Sequence, residues 1–486
     1  MFLGVDLGTS SVKTVIIDEG GTILAEASAP LHLSRPKPLW SEQRPEDWVN
    51  AAEDAIRALP EHLRAEVKGL GLSGQMHGAV LLDHSGCVLR PAILWNDGRA
   101  FQACADLEAL APELRIITGN KAMPGFTAPK LLWVKGNEPE IFRQVQKVLL
   151  PKDYLRLVWT GDYATDVSDA SGTLWLDVAT RSWSETVLAA NALSTEVMPA
   201  VYEGPEVTGE LSKASASRLG LPIVPVIAGG GDQAAGAIGA GVTQPGEASL
   251  ALGTSGVLFT VTDKFRPNPE EAAHAFCHAL PDTWHQMAVM LSAASAVDKV
   301  AQMAGYASPE DAYSAAESHG SSDGVLFLPY LDGERTPHDN PHACGAFFGL
   351  TSQTSPAALV HSALEGVAFA FVDGRDALVR AGGRFTHTSV IGGGARSTYW
   401  GKILASALDM PLSYRDGAEA GPAVGAARLA LIGVNEASVE NTCKPAPIRS
   451  EVLPDQYLSE LYKARLETWR ALYQATRHLT SQDIAA

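Results

Sequence analysis

The chain reads as an α/β protein built from two duplicated domains with a cleft between them, and three observations carry that reading. The segment VDLGTSSVKTVIID (Val5 to Asp18) returns as LALGTSGVLFTVTD (Leu250 to Asp263) at an offset of 245 residues, with Leu, Gly, Thr, Ser, Val and the closing Asp identical. The chain has 486 residues, more than one ordinary core spans, so two domains of about 240 residues each are expected. In both halves strand-like and helix-like patterns alternate, which implies helices covering mixed or parallel sheets. The boundary is expected within GVTQPGE, Gly241 to Glu247, giving domains of residues 1–243 and 244–486.

Each copy of the repeat predicts an apolar strand, a Gly-Thr-Ser turn and a second strand, because β-branched and apolar residues flank a short run of small ones. After three short strands, SEQRPEDW opens a helix near Pro45 to Leu59, with acidic residues in its first turn. Strand and helix then alternate through VKGLGLSG, ILWNDGRAFQACADLEAL and KVLLPKDYLRLVW. The apolar strand Ile223 to Ala228 runs into GGGDQAAGAIGAG, a glycine turn followed by small residues at helical spacing. In the second half a hairpin is expected at Leu250 to Thr262, a helix from about Ser292, a strand at Gly324 to Leu328 and a helix around Pro356 to Ala381. TSVIGGGARSTYWGKILASAL supplies strand, glycine turn and helix. AGPAVGAARLALI (Ala420 to Ile432) is expected to complete this domain, and Pro454 to Thr480 to cap it.

Apolar content of 46% and charged content of 19% describe a globular chain with a large core. A net charge of −18 argues against nucleic acid as a partner, since such binding rests on clustered Lys and Arg. Five scattered cysteines without a CxxC pair fit a reducing compartment and give no zinc pattern. The first residues lack the basic and apolar regions of a secretory signal, and no apolar run approaches about 18 residues, so a cytoplasmic protein without a membrane segment is expected.

Glycine at a hairpin tip lets backbone N–H groups approach an anion, and Thr9, Ser10, Thr254 and Ser255 add hydroxyl donors beside Gly8 and Gly253. Two such hairpins can grip one polyphosphate. Asp6 in the first copy becomes Ala251 in the second, so only the first retains a carboxylate suited to Mg²⁺ through water. Lys13 is a candidate phosphate partner, although lysine on a hairpin is usually just solvated. GGGARS (Gly392 to Ser397) joins a strand to a helix N-terminus, which makes Gly393, Gly394 and Ala395 candidates for holding adenosine. Asp232 stands where GGGD starts a helix. Its bland role is an N-cap, and its chemical one is the base that takes an alcohol's proton, kept ionised by the helix dipole. SGQMHG (Ser73 to Gly78) offers Met76 and His77 in one glycine-bounded loop, a pairing that suits hydroxyls over an apolar floor, though a loop histidine is more often solvated or structural.

Two other strings fail on context. Gly69 to Gly74 matches G-x-G-x-x-G but lies within a strand followed by a strand, where a dinucleotide turn needs a helix. Ser10 to Lys13 matches S-x-x-K without its companion strings. No G-x-x-x-x-G-K-[ST] occurs, which excludes a P-loop.

Over nearly its whole length the chain resembles the FGGY carbohydrate kinases of the actin-like (ribonuclease H-like) ATPase superfamily. DLGTSSVK and ALGTSG resemble the family's two phosphate segments and IGGGARS its adenosine segment, while MPGFTAPKLLWV, GAFFGLT and ALEG resemble its signature stretches. Within the family, SGQMHG, LWNDGR, SDASGTLWLDV and PYLDGERTPH are similar to members that phosphorylate D-xylulose rather than glycerol or gluconate. The resemblance implies ATP and Mg²⁺ as cofactors, D-xylulose phosphorylated at O5, Asp232 as catalytic base, Asp6 as the acid near magnesium and Met76 with His77 as sugar contacts. Gln233, also on the sugar side, stands where the family carries Asn. A homodimer is a further family expectation. Ribulose, fuculose or glycerol as acceptor, or an actin-like or chaperone-type nucleotide switch without any small acceptor, remain as alternatives, as do the roles of Trp95, Asn96, Asp97 and Arg335.

Overall fold

A computed structural model of the protein describes residues 1–416 and 421–479, with only the backbone at residues 395 and 396. The first half is built on β1 (Phe2–Leu7), β2 (Ser11–Ile17), β3 (Ile23–Pro30), β4 (Gly69–Gly74), β5 (Val207–Glu210) and β6 (Pro225–Ile227). Their order in the sheet is β5-β6-β4-β1-β2-β3. The second half is built on β7 (Glu247–Leu252), β8 (Gly256–Thr262), β9 (His274–Cys277), β10 (Trp284–Met290), β11 (His387–Ile391), β12 (Leu412–Arg415) and β13 (Ile448–Val452). These lie in the order β9-β10-β8-β7-β11-β12-β13.

The duplication read from one hairpin extends through both sheets. In each, a hairpin pairs antiparallel (β1–β2, β7–β8), and the next strand lies parallel to its first arm (β4, β11). A further parallel strand (β6, β12) is closed by an antiparallel edge (β5, β13). Every residue of β1 and β4 is buried, as a strand covered on both faces requires.

The helices that position the site are α1 (Pro45–Ala58), α2 (Pro151–Thr160), α3 (Val167–Ser171), α4 (Asp232–Ala240), α5 (Pro356–Arg380), α6 (Pro422–Asn435) and α7 (Gln456–Thr476). Helix α1 starts at Pro45 with Glu46 and Asp47 in its first turn, and buries Trp48, Ala51, Ala52, Ala55 and Ile56 as one stripe. Helix α5 is long and apolar enough to cross a membrane by composition alone. It is instead the core helix of the second half, with 89% of that stretch buried. Helix α7 caps the second half, with Asp455 accepting from the Tyr457 and Leu458 amides and Trp469 fully buried.

Helix α6 departs from the expectation that it completes the second half. It lies on the first sheet, against β1, β4 and α4. The cause is a glycine seam: Gly4 and Gly71 face each other across β1 and β4, and a Cβ there would come within 1.9 Å of the Ala423 carbonyl and 2.0 Å of the Ala426 carbonyl. Only glycine lets the helix backbone sit on those strands. The two halves also share an apolar cluster, in which Phe126, Leu131 and Trp175 pack with Phe259, Phe276 and Met287.

Candidate active site

Asp232 is the first residue of α4, reached through the glycines that follow β6, so its carboxylate projects from a helix N-terminus into the space between the sheets. It is half-buried, and burial pushes its pKa up to about 6 against the lowering effect of hydrogen bonds from Gln233. The dipole alone was expected to favour the charged form, and desolvation outweighs it. A group of pKa 6 is still roughly nine-tenths ionised at pH 7, which suits a base working there.

Asp6 ends β1 beside Ser73 of β4 and opposite Lys13 of β2. Burial raises it to about 7, with the Asp232 carboxylate adding to the rise and Lys13 opposing it. Its Oδ1 is buried without a hydrogen-bond partner. Two carboxylates that feel each other's charge, one with an orphaned oxygen, fit a site meant to be shared with a cation.

Asp232 opens into a cavity of about 630 Å³ lined from both halves, by Met76, His77 and Trp95 on one side and Ser255, Phe276 and Arg335 on the other. Gln233 and Asn96 also line it. His77 has left-handed backbone (φ 70°), held by Thr127 Oγ1 and Lys130 Nζ donating to its carbonyl at 3.2 and 3.0 Å. Its Nδ1 lies 2.6 Å from the Gly172 carbonyl, which can only accept, so Nδ1 carries the proton and Nε2 is left as an acceptor. Burial, reinforced by Lys130, holds the ring neutral by pushing its pKa down to about 3. A Cβ at Gly172 would come within 2.7 Å of the ring, which explains the glycine in SDASG. Phe126 meets His77 edge to face at 4.8 Å, giving the apolar floor anticipated for this loop.

The second hairpin joins this cavity to the next. Ser255 lines the first, while Gly253 and Thr254 line a neighbouring cavity of about 530 Å³ together with Gly393, Gly394, Tyr313 and Tyr399. The glycine turn and the second hairpin are therefore brought together as the adenosine and phosphate candidates. Ala395 continues the same turn, but its side chain lies outside the described residues. In the first hairpin Gly8 N donates to Ser11 O at 3.0 Å and Ser10 is exposed at the tip. Thr9 Oγ1 donates to Gln75 and accepts from the Trp95 indole, both at 3.0 Å, which ties this tip to the first cavity's wall. Lys13 lines a separate cavity of about 480 Å³ with Asp6 and Pro422.

Asp97 is not free to bind a ligand. Arg99 and the Ser41 amide occupy both its oxygens, so it shapes the wall. Arg335, by contrast, lines the cavity, with His274 Nε2 at 3.4 Å. Phe126, His274, Tyr313 and Tyr399 are lining residues that sequence reasoning missed. Phe126 and Tyr399 sit within stretches already marked, MPGFTAPKLLWV and TSVIGGGARSTYW, while His274 and Tyr313 come from segments that no local pattern marks.

An aspartate at a helix N-terminus in an acceptor-sized cavity, with a second cavity floored by glycine and hydroxyl groups across the second hairpin, fits a two-domain phosphotransferase for small polar acceptors. The chain belongs to the FGGY family of carbohydrate kinases: the family's N-terminal-domain model matches residues 1–239 and its C-terminal-domain model residues 248–434. It is 53% identical to the xylulose kinase of Escherichia coli (strain K12) over 477 residues, covering 98% of this chain and 99% of that one. Among solved structures it is similar to a "xyloylose kinase" from Brucella ovis, with TM-score 0.94 and 47% identity over 98% of this chain and 99% of that one. A xylulose kinase from Rhodospirillum rubrum aligns with TM-score 0.90 and 28% identity over 98% and 99% of the two chains. As a member of this family the chain is an ATP-dependent carbohydrate kinase.

Proposed function

We propose that the protein phosphorylates D-xylulose at O5, with Asp232 as the base. The observation that carries this reading is the junction at the second hairpin: Ser255 faces the cavity that holds Asp232, His77 and Met76, and the two residues before it face the cavity of Gly393 and Gly394. A phosphoryl group held at that tip needs to travel only from one cavity to the other.

In this reading His77 Nε2 accepts from one sugar hydroxyl, Gln233 contacts another and Met76 lies under the carbon chain. Asp232 takes the O5 proton as that oxygen attacks the γ-phosphorus in line, and the proton moves onto its carboxylate. Backbone N–H groups of Thr9, Ser10, Thr254 and Ser255 at the two tips, with Lys13, hold the β- and γ-phosphates, Gly8 and Gly253 letting the chain come close, and Gly393 to Ala395 border the adenosine. The orphaned, cation-seeking oxygen of Asp6 fits Mg²⁺ held through water, and Mg²⁺ when bound supplies neutralisation of the phosphate charge. Closure of the second sheet on the first, with α6 staying on the first and the chain bending at residues 241–247, excludes water, a competing acceptor. A cytoplasmic homodimer completes the proposal.

A panel of D-xylulose, ribulose, fuculose and glycerol, read by ADP release, tests it. D-xylulose is expected to exceed each of the others in kcat/KM by about tenfold or more, the discrimination that one well-placed buried hydroxyl contact supplies. Equal or greater turnover of another acceptor overturns the substrate, and ADP release independent of every acceptor overturns the transfer.

A further inference from the structure

Behind the Asp232 turn lies a set of ionisable side chains that none of the chemistry above uses. Lys152, Asp153 and Arg156 on α2, and Asp166 and Asp169 around α3, have no exposed surface. Lys152 Nζ stands 2.6 Å from Asp153 Oδ1, 2.8 Å from Asp166 Oδ2 and 3.3 Å from Asp169 Oδ2. Buried ion pairs are a poor way to gain stability, because desolvation offsets most of their attraction, so their geometry rather than their energy asks for a reason.

The geometry leads to the base. Asp166 Oδ1 accepts from the Ser168 and Asp169 amides and from the Ser168 hydroxyl. That hydroxyl in turn accepts from the amide of Gly231, the residue immediately before Asp232, at 3.0 Å. On the other side of the turn, Arg156 donates to the Ile227 and Ala228 carbonyls at 2.8 and 2.6 Å and to Thr208 Oγ1 at 2.6 Å, pinning the end of β6. The glycine-rich segment between these two anchors has no side chains of its own, and besides the anchors it is held by Gly230 and Gly231 pairing with Ser73 and Gly74 of β4 and by the Gly229 amide donating to the Gly204 carbonyl at 2.8 Å. Its direction, and with it the aim of the Asp232 carboxylate, is set from outside.

We propose that Ser168 is a positioning residue for the base: its hydroxyl, oriented by Asp166 and Lys152, clamps the Gly231 peptide and so aims Asp232 at the acceptor hydroxyl. This rests on Asp232 being the base. Without the hydroxyl the Gly231 amide is buried and unpaired, and the turn relaxes toward another partner. A displacement of about 1 Å at a reacting group costs about 10²-fold in rate.

The test compares Ser168→Ala, Ser168→Thr and Asp232→Ala with the parent enzyme, using ATP, Mg²⁺ and D-xylulose. Ser168→Ala is expected to lower kcat about 10- to 100-fold with KM for ATP within about twofold, and Ser168→Thr, which restores a hydroxyl, to recover most of the loss. Unchanged kcat in Ser168→Ala overturns the inference. So does a threonine variant as slow as alanine, or a parallel loss of kcat and of both substrate affinities, which is what general loosening of the core produces. If the alanine variant does not fold, Ser168→Cys, close in shape and a weaker acceptor, carries the same comparison. Normal turnover in Asp232→Ala removes the base assignment itself, whereas an inactive Asp232→Ala beside a fully active Ser168→Ala removes only the clamp.

Discussion

The two hairpins share a strand order and a Gly-Thr-Ser tip, yet their walls differ in charge at the rung below the tip. In the first, Asp6 faces Lys13. At the matching rung of the second, next to the strand pair that closes the tip, Ala251 faces Val257. The second loop is also one residue tighter, closing at Leu252 and Gly256 where the first closes at Leu7 and Val12. What duplication kept in both copies is the backbone donor set that any phosphate can use. What it kept in one copy is charge, and that copy belongs to the sheet that also presents Asp232. In the proposed reaction, chemistry is thus concentrated in the first half, and nucleotide recognition in the second.

The largest effect that probes this division is loss of the base. Asp232→Ala is expected to lower kcat for sugar phosphorylation about 10³-fold or more while the Kd for ATP changes little, because the nucleotide cavity is lined by the other half. Equal losses in both would erase the division. In the parent enzyme kcat/KM should fall as pH drops from about 7 through about 6: Asp6 and Asp232 are both raised, so Asp6 and then Asp232 take up a proton over that range, whereas His77 at about 3 stays neutral.

Exchanging the differing rung sharpens the comparison. Asp6→Asn is expected to lower kcat about 10²-fold and to raise the Mg²⁺ concentration needed for half-maximal rate. Ala251→Asp should leave kcat within a few-fold and raise KM for ATP about tenfold, since a second carboxylate there meets phosphate charge without a lysine opposite it. Steady-state titrations of ATP and Mg²⁺ separate the two outcomes, and identical profiles for both variants would mean that the copies remain equivalent. The smallest expected effect belongs to the acceptor side: His77→Ala should raise KM for D-xylulose about tenfold with KM for ATP unchanged, the cost of one buried hydrogen bond. An unmoved sugar KM would return His77 to the structural role of bracing Gly172.

Much of this was legible in the sequence because it is local. A hairpin with a glycine tip, a proline-started helix with an acidic first turn and an aspartate after three glycines each announce themselves within a dozen residues. The cavity walls do not. Arg335, Phe126 and His274 meet only because β9 and β10 of the second half pack against loops of the first, and nothing near those residues says so. The direction of the Asp232 shift was misjudged for a related reason: the helix dipole can be read from an N-terminal position, but desolvation depends on what covers it. The destination of α6 was written in the chain as glycines at positions 4 and 71, whose meaning appears only once β1 and β4 are neighbours.

That helix has a consequence for how the molecule can be taken apart. A gene cut at the boundary near residue 243 would yield a front piece whose central strands are stripped along the Gly4 and Gly71 groove, and a back piece trailing an apolar segment with nothing to lie on. Neither fragment should be soluble by itself, while co-expression should let them reassemble.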